Sequence, residues 1–421
     1  MEELVRPAGR PGLRGRAAQW LSDNPSWKKA IPWAALWVIG PRILVGLMMA
    51  AAWYVDRPFL LPVLQANPSL YGYSPLYTTL PGEYLLGVWM RWDAVHYINL
   101  AIGGYFNNIT GDSVFYPLYF LLIRFFSQVF QADRVLVALV IATLSTFFML
   151  LFLYRIVDSI YGEPAARWSV VALAVYPTAL LLQGPYTESL FLALTLAAFW
   201  SAYQARWVWA GALVALASLS RGPGMYTPAA LAWTAYQQLS PLAAVWKKPP
   251  VRKLLGMTLG LGLPLAAGLG FLAWKQWVGF PPLEVVYRDY THWVVSNPLT
   301  SLYLAVRACF TTPDITVVLE AVTALGFIVL SALLMIKPRW RRPEWIIYTL
   351  LNLGVFLSRY STTSSPLQSM GRYVLILFPV FILLGDWLSR SSRRVQFAYT
   401  VTSISLLMIF SALYVFGIFV G

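Results

Sequence analysis

The seven residues RWDAVHY, positions 91–97, place three ionisable side chains within six positions. Arg91, Asp93 and His96 stand there in a chain in which 11% of residues are charged and histidine occurs twice. A carboxylate at a partly dry surface can act as a general base toward a hydroxyl group, provided that it reaches the proton. Alternatively, Asp93 pairs with Arg91 or caps a turn, and the spacing alone leaves both interpretations open.

Glu188, in the stretch PYTES, lies one turn into an apolar run. An ionisable group in such a run is by default a functional candidate, here one that binds sugar hydroxyls or fixes an arginine. Alternatively, a carboxylate near a helix N-terminus is stabilised by the helix dipole alone. The sequence leaves both explanations open.

Two arginines stand where an apolar helix ends or begins. Arg221 comes after the apolar stretch ALVALASL, and Arg372 opens a span after a Ser/Thr-rich loop. Guanidinium groups bind phosphate through a bidentate fork, so an anion-binding role would explain both positions. The alternative is that both side chains simply extend to the membrane interface.

Weaker signals surround these four positions. Tyr116, in FYPLY, is a candidate for the entrance beneath Asp93, whereas His292, in the aromatic-rich loop 287–293, is better explained by a surface role. Two distant histidines without a carboxylate cluster do not indicate a metal site. The sequence has no phosphate loop, nucleotide-binding glycine motif or internal repeat. We therefore predict neither a metal nor another cofactor.

The elements that position these residues are predicted to be membrane-spanning helices. The chain has 421 residues, of which 59% are hydrophobic, and a mean hydropathy of +0.63. A soluble globule would carry roughly twice this charged fraction. Long apolar runs can cross a bilayer as helices, each of which satisfies its own backbone groups. We predict an all-α polytopic membrane protein with eleven spans: 31–55, 134–154, 167–183, 188–204, 207–221, 226–245, 254–277, 316–336, 344–358, 373–389 and 396–419.

The net charge of +14 is concentrated in short segments between these spans. Basic residues cluster in the first 29 residues and in 247–253, 337–342 and 390–394. Lys and Arg in short loops are retained on the cytoplasmic side, where they meet anionic lipid headgroups. The pattern predicts membrane lipids rather than nucleic acid as the partner, and it places these loops inside.

This topology predicts a cytoplasmic basic tail, 1–30, followed by a single transmembrane domain, 31–421. Within the domain, 56–115 forms a large first external loop and 278–315 a second. Apolar residues at spacings of three and four in 82–105 predict an amphipathic helix on the membrane surface that carries Asp93.

The apolar stretch 115–130 is excluded from the spans. It has about 16 residues and contains Pro117 and Arg124, which makes a full crossing marginal. We expect it to enter the membrane partly or to lie along its surface. With this choice, the polar stretches 183–189, 220–224 and 358–373 fall on the external face with Asp93, which predicts an active site open to that face.

Five stretches in fixed order resemble the PIG-V-type mannosyltransferases, which belong to the GT-C superfamily of membrane glycosyltransferases. They are RWDAVHYINLAIGGYF, FYPLY, PYTESLFLAL, an Arg-x-x-Gly after a small-residue helix, and SMGRYVLILFP, together about a fifth of the chain. The order of the motifs is specific, whereas singly only the first is. Elsewhere the resemblance extends only to the pattern of apolar runs.

The resemblance implies a GT-C-like fold and an inverting transfer of mannose or a related hexose. The donor would be a polyprenyl- or dolichyl-phosphate sugar, and the acceptor a glycolipid or glycan on the external or luminal face. Asp93 would be the catalytic base, and Arg372 would hold the donor phosphate without a metal, since cations stabilise this leaving group. The other substrate-binding residues implied are Arg91, His96, Tyr116, Glu188, Arg221 and Tyr373.

The sequence departs from the family pattern in two places. The family segment after the aspartate usually has a second proline, where this chain has Phe120, and the segment at Arg221 reads RGPG instead of carrying a polar residue before the glycine. Both departures bear on the acceptor. The membrane would be the plasma membrane in a prokaryote and the endoplasmic reticulum in a eukaryote, and no protein partner is indicated.

Two other classes of function remain. A transporter or flippase of lipid-linked saccharides also needs external arginines and a membrane cavity, but transporters often show matched halves with interrupted helices. This chain has one long loop near its N-terminus and no counterpart in its second half. A membrane scaffold would not require Asp93 in a polar cluster. The sequence thus favours the enzyme.

Overall fold

The computed structural model describes residues 24–66, 77, 79–105, 109–244, 251–289 and 291–418. Most of the predicted cytoplasmic tail, and part of the basic cluster in 247–253, lie outside these residues. The partition into a tail and one membrane domain therefore stays a prediction.

Within the described residues the chain forms nineteen α-helices and one two-stranded antiparallel ribbon. The first ten helices are α1 Pro25–Ala66, α2 Leu80–Leu85, α3 Asp93–Gly103, α4 Ile109–Asp112, α5 Pro117–Val129, α6 Arg134–Tyr161, α7 Glu163–Ala174, α8 Leu180–Gln183, α9 Glu188–Tyr203 and α10 Trp207–Ser220. The others are α11 Thr227–Ala244, α12 Val251–Val278, α13 Leu283–Asp289, α14 Pro298–Thr311, α15 Ile315–Ile336, α16 Pro343–Leu357, α17 Met370–Tyr373, α18 Phe378–Arg390 and α19 Arg393–Val415. The ribbon pairs β1, Trp293–Val295, with β2, Arg359–Ser361.

Five of the described helices, α1, α6, α12, α15 and α19, are long and apolar enough to cross a membrane. A sixth span is obtained if α17 and α18 with the turn between them count as one, and α5, α9, α10 and α16 are apolar but shorter. The predicted all-α class with several spans is thus confirmed. The count of eleven and the inside or outside placement of the loops stay predictions.

The predicted continuous span 167–183 is wrong. Helix α7 ends at Ala174, and a turn containing Pro177 separates it from the short α8. Proline has no N–H to donate to the carbonyl four residues earlier, which favours a break at this position. After the break, the hydroxyl of the buried Thr178 donates to the carbonyl of Gly371 at 2.7 Å.

The predicted span 373–389 is not one straight helix, and its crossing of the membrane stays a prediction. After α17, a 3-10 turn at Val374–Ile376 leads into α18, and the chain bends by 78° between them. Pro379 stands at the start of α18, where a missing N–H costs nothing. Arg372 lies before this bend, on α17, and is buried.

The predicted amphipathic helix 82–105 is three pieces. Helix α2 is followed by a 3-10 turn, Gly87–Trp89, and α3 begins only at Asp93. Trp92 has φ = +55°, a left-handed conformation that interrupts a helix and is uncommon for a bulky residue. Residues 87–91 are buried, so this segment belongs to the core and does not lie on the surface.

Ion pairs among the described residues cluster at one end of the bundle, here named the basic end. Its pairs are Lys29–Glu163, Arg167–Glu163, Arg155–Asp158, Arg342–Glu344, Arg339–Asp386 and Arg390–Asp386, of which Lys29–Glu163 and Arg339–Asp386 join different elements. The Tyr161 hydroxyl donates to the carbonyl of Arg339, which links the end of α6 to the basic loop 337–342. The sixteen residues of α9 begin at Glu188 and reach this end at Tyr203, whose hydroxyl donates to Glu344 at 3.2 Å.

The packing of α7 against α18 gives a test of the fold. Replacing Gly385 by alanine places a methyl carbon 2.3 Å from the backbone nitrogen of Ser169, which cannot move aside. We expect destabilisation by about 1–3 kcal/mol, seen as a lower unfolding temperature in detergent. Gly354→Ala in α16 is the control, because no atom lies within 4 Å of the added carbon. Equal loss in both variants would contradict this packing.

Candidate active site

Four charged side chains from distant parts of the sequence meet at the end of the bundle away from the basic end. We name Asp93, Glu188, Arg221 and Arg372 the charged cluster. Arg372 donates from NH1 to Asp93 Oδ2 at 2.5 Å and from Nε to Glu188 Oε1. Arg221 donates from NH1 to the same oxygen of Glu188. The four groups thus form one continuous chain of charge-assisted hydrogen bonds.

The exposed fraction of the side chain increases from Glu188 through Arg372 to Asp93. The side chain of Glu188 is 0% exposed and that of Arg372 is 7% exposed, whereas that of Asp93 is 31% exposed. A buried charge is tolerated only when it is paired and hydrogen-bonded. Two carboxylates balance two guanidinium groups, so the cluster is neutral overall, and Asp93 is its exposed end.

Asp93 is held by the backbone that precedes it. The carbonyl of Arg91 accepts hydrogen bonds from the hydroxyls of Tyr186 at 3.0 Å and Tyr414 at 3.4 Å. The left-handed Trp92 then turns the chain into α3, whose first residue is Asp93. A carboxylate in the first turn of a helix is stabilised by the helix dipole.

Glu188 occupies the first turn of α9, after the buried segment 184–187. The hydroxyl of Thr187, its neighbour, accepts from Arg221 NH1 at 3.3 Å and from the Tyr97 hydroxyl at 3.4 Å. Glu188 Oε2 is buried and makes no hydrogen bond to any described residue. The glutamate therefore has unused acceptor capacity beside both arginines.

Arg221 follows the last residue of α10 and precedes a 3-10 turn, Gly222–Tyr226. A Cβ at Gly224 would lie 2.4 Å from the backbone nitrogen of Ser218, so this turn folds tightly back on α10 only with glycine there. The guanidinium of Arg221 lies over the ring of Tyr373, 5.7 Å from its centroid. The tight turn thus directs Arg221 into the cluster.

Arg372 is carried by α17, which begins after Ser369 in a left-handed conformation with φ = +72°. The backbone N–H of Ser369 donates to Glu320 Oε1 of α15 at 2.8 Å, and the carbonyl of Gly371 accepts from Thr178. The guanidinium also lies 5.1 Å from the centroid of the Tyr186 ring. Contacts from three directions therefore fix Arg372.

His96 lies beside the cluster, one turn after Asp93. Its Nδ1 is 3.0 Å from Oδ1 of Asp112, the last residue of α4, and its ring stacks on Phe115 at 5.0 Å between centroids. The next carbonyl, that of Ser113, accepts from the buried ammonium of Lys275 in α12. The imidazole is therefore fixed at one nitrogen and on one face.

The ionisable groups on α3 have opposite pKa shifts. Burial raises the pKa of Asp93, but the positive charge and hydrogen bond of Arg372 outweigh it and leave the pKa below its usual value. Burial lowers the pKa of His96, but the hydrogen bond to Asp112 and the charges of Asp93 and Asp112 leave it above its usual value. Asp93 is therefore a carboxylate at neutral pH.

Of the other residues predicted to bind substrate, Tyr373 and Tyr116 lie beside Arg221 and the turn that follows it, whereas Arg91 does not. Tyr373 contacts Arg221, and the Tyr116 hydroxyl lies beside Gly222, 3.0 Å from where a Cβ would stand. The structure does not bring the Arg91 guanidinium into the cluster. It is buried over the ring of Trp53 and donates to the carbonyls of Met90 and Gly87. Arg91 is 1% exposed, and its role as a substrate-binding residue stays a prediction.

Sequence reasoning did not single out four residues that complete the site: Asp112, Tyr186, Lys275 and Tyr414. Tyr186 stands within the PYTES motif and Asp112 in a polar stretch after His96, so both carried a weak signal. Lys275 is a cation inside an apolar run, which is itself a signal for function. Tyr414, within the final apolar helix, carried none.

Part of the chain matches a known family. Residues 116–269 match the family model described as dolichyl-phosphate-mannose-protein mannosyltransferase. This range contains Glu188 and Arg221 but not Asp93 or Arg372. No curated protein matches the chain.

One solved structure is similar in part. It is ArnT from Cupriavidus metallidurans bound to undecaprenyl phosphate, with a TM-score of 0.44 and 17% sequence identity. The match covers 69% of this chain and 52% of that chain, so this chain spans about half the length of that protein.

Metal-ligating side chains are not grouped in the part of the chain that the structure describes. No set of three or more His, Cys, Asp or Glu residues there could hold a metal ion. The chemistry derived below uses only the side chains of the charged cluster and its neighbours.

Proposed function

We propose that the protein is an inverting membrane glycosyltransferase of the GT-C type. It moves a mannose or a related hexose from a polyprenyl- or dolichyl-phosphate donor to a glycolipid or glycan acceptor at the external or luminal face. The observation that carries the proposal is the direct contact of Arg372 with both Asp93 and Glu188. A half-exposed base and a buried phosphate-binding cation are the two groups that this reaction needs.

The reaction follows from the roles that this contact allows. The acceptor hydroxyl hydrogen-bonds to Asp93 and attacks the anomeric carbon from the side opposite the lipid phosphate, which inverts the configuration. The departing phosphate gains negative charge, and fixed guanidinium groups of Arg372 and Arg221 stabilise it most strongly in a site with little water. Glu188 keeps these cations neutralised and in place while the site is empty.

An apolar groove between α1, α2 and α6 supports a donor with a lipid part. It has a volume of about 560 Å³ and is lined by Arg42, Pro81, Gly82, Leu85, Leu86, Leu136, Leu139, Val140 and Thr143. Arg42 is the one charged lining residue and donates to the carbonyl of Gln183, five residues before Glu188. A prenyl chain fits the apolar walls. The partial match to a family of lipid-phosphate-mannose enzymes supports the same donor class.

The test measures cleavage and movement of one donor in the same vesicles. Purified protein in proteoliposomes receives radiolabelled polyprenyl-phosphate mannose with a candidate glycolipid acceptor. We expect release of polyprenyl phosphate, with slow hydrolysis when the acceptor is omitted and an inverted anomeric configuration in the product. Movement of intact donor across the membrane without cleavage would instead favour the transporter or flippase. An Arg288→Ala variant is the control, because Arg288 is exposed and, among the described residues, forms an ion pair with its neighbour Asp289 alone.

A further inference from the structure

The pair formed by His96 and Asp112 has the geometry of a proton acceptor and lies beside the charged cluster. Asp112 is 5% exposed, whereas the His96 side chain is 36% exposed. Next to the Asp112 carboxylate, Nδ1 carries the proton, and the neutral tautomer then leaves Nε2 as an acceptor. Nε2 makes no hydrogen bond to any described residue. The imidazole is thus held at its inner nitrogen and open at its outer one.

Asp112 is itself fixed, so the histidine has a rigid support. The ammonium of Lys275 holds the carbonyl of Ser113, and the Tyr105 hydroxyl donates to the carbonyl of Phe115 at 2.6 Å. The Phe115 ring then packs on the imidazole. Contacts from α12 and from Tyr105, two residues after the end of α3, therefore hold the segment that presents both the carboxylate and the aromatic ring to His96.

Asp93 alone is poorly suited to keep the proton that the transfer step releases. Its Oδ2 is bound to Arg372, which favours the carboxylate and opposes protonation. A proton taken up by Asp93 would also weaken the contact that holds Arg372 against the departing phosphate. An acceptor outside the cluster removes this conflict.

We propose that His96, oriented by Asp112, is a further catalytic residue and the final acceptor of the proton from the acceptor hydroxyl. This inference rests on the proposed function. Asp93 aligns the hydroxyl. As the oxygen–carbon bond to the sugar forms, the carbon–oxygen bond to the phosphate breaks. The hydroxyl proton passes to Nε2 of His96, directly or through Asp93, and the electron pair of the broken bond leaves on the lipid phosphate.

The groups that face His96 from neighbouring elements set its protonation. Asp93 stands on the same helix, and Asp112 comes from α4. Lys275 of α12 and Tyr105 lie behind Asp112. Both carboxylates favour the imidazolium once the proton arrives, so the pair is organised to accept a proton and to release it to solvent through its exposed face.

The first experiment is a pH–rate profile of sugar transfer. Activity requires neutral His96, so wild-type kcat/KM should fall as pH decreases through a pKa above the usual value of about 6.5. His96→Gln should lower kcat by about 10²–10⁴-fold and remove this limb. Asp112→Asn should move the limb to lower pH because one carboxylate charge is lost. An unchanged limb in His96→Gln would overturn the proposal.

The second experiment measures the protonation of His96 directly and does not require enzymatic turnover. The chain has two histidines, and His292 has φ = +54°, a conformation that asparagine accepts more readily than most residues. In His292→Asn protein with isotope-labelled histidine, the remaining NMR signal belongs to His96. It should titrate above about 6.5, and at lower pH after Asp112→Asn.

The two experiments separate two kinds of failure. The His292→Asn variant should retain wild-type transfer, since His292 lies in the exposed loop outside the charged cluster. If no donor is cleaved, the proposed function fails, whereas the titration still reports on the pair. If transfer occurs and His96 titrates below about 6.5, the proton-acceptor role is wrong and the enzyme remains.

Discussion

Arg372→Ala is expected to abolish sugar transfer and to destabilise the protein by about 3–5 kcal/mol, the usual cost of removing one partner of a buried ion pair. The loss leaves Asp93 unpaired and leaves the fully buried Glu188 with Arg221 alone. It also removes one of the two cations available to the phosphate, which should lower kcat by at least about 10³-fold. Thermal unfolding in detergent and initial rates of donor cleavage measure the two effects.

Two further variants separate stability from catalysis at this position. Arg372→Lys retains the charge, but one ammonium cannot reproduce the guanidinium fork that contacts Asp93 and Glu188 together. It should unfold close to the wild-type temperature and still lose most transfer. Combining Arg372→Ala with Asp93→Asn removes the unpaired carboxylate and keeps the Glu188–Arg221 pair, so it should restore stability but not activity. Full activity in a folded Arg372→Ala protein would exclude the phosphate-binding role.

Asp93→Asn is expected to lower kcat by about 10²–10⁴-fold, while the protein remains folded. The side chain is 31% exposed and the amide has the same shape, so packing is preserved. Arg372 keeps its contact with Glu188 and loses a competitor for the donor phosphate, so donor binding should be unchanged or tighter. Equilibrium binding of polyprenyl-phosphate mannose and single-turnover rates distinguish these effects.

The control for this substitution is Asp289→Asn. Asp289 is an exposed carboxylate that also pairs with an arginine, Arg288, but lies outside the charged cluster. Its replacement should change neither rate nor binding. Equal activity of the wild type and Asp93→Asn would remove Asp93 from the mechanism and leave Glu188 as the next carboxylate to test.

The long helices of the fold could be predicted from the sequence because each contains one uninterrupted apolar run. The runs 31–55, 134–154, 254–277 and 316–336 fall within single helices of the structure, and α19 contains residues 396–415 of the run 396–419. Burial of the apolar side chains favours a helix there, and so does the fact that a helix hydrogen-bonds its own backbone N–H and C=O groups. The formation of a helix by such a run does not depend on which other helices pack against it.

The broken helices could not be predicted in the same way, although proline marked them. Pro177 and Pro379 stand in apolar runs whose hydropathy is that of a span. Whether a proline bends a helix or ends it depends on the partners available to the freed carbonyls and on the packing around the break. After the break at Pro177, the hydroxyl of Thr178 donates a hydrogen bond to the carbonyl of Gly371. The sequence gives no indication of this contact between distant residues.

The members of the charged cluster could be proposed from residue type, but their pairing could not. Arg372 contacts Asp93 across 279 positions and Glu188 across 184. Residues this far apart in the sequence are not related by helix or strand spacing, so the sequence alone does not show that they meet. His96 was a candidate because of its spacing to Asp93. Its partner Asp112 could be identified only from the structure, in which the end of α4 lies beside α3. Arg91 has the same charge as Arg372 but is buried against Trp53.

The ion pairs of the basic end limit how the molecule can move during turnover. Asp386 and Glu344 are each 1% exposed; Asp386 accepts from Arg339 of the preceding loop, and Glu344 accepts from Tyr203 of α9. Parting the helices there would break these contacts to buried carboxylates, which is costly. The charged cluster, at the far end of α9, is exposed already at Asp93. If the proposed transfer takes place at this cluster, donor and acceptor would enter, and both products would leave, through the opening at Asp93. Spent lipid phosphate would then compete with fresh donor for Arg221 and Arg372.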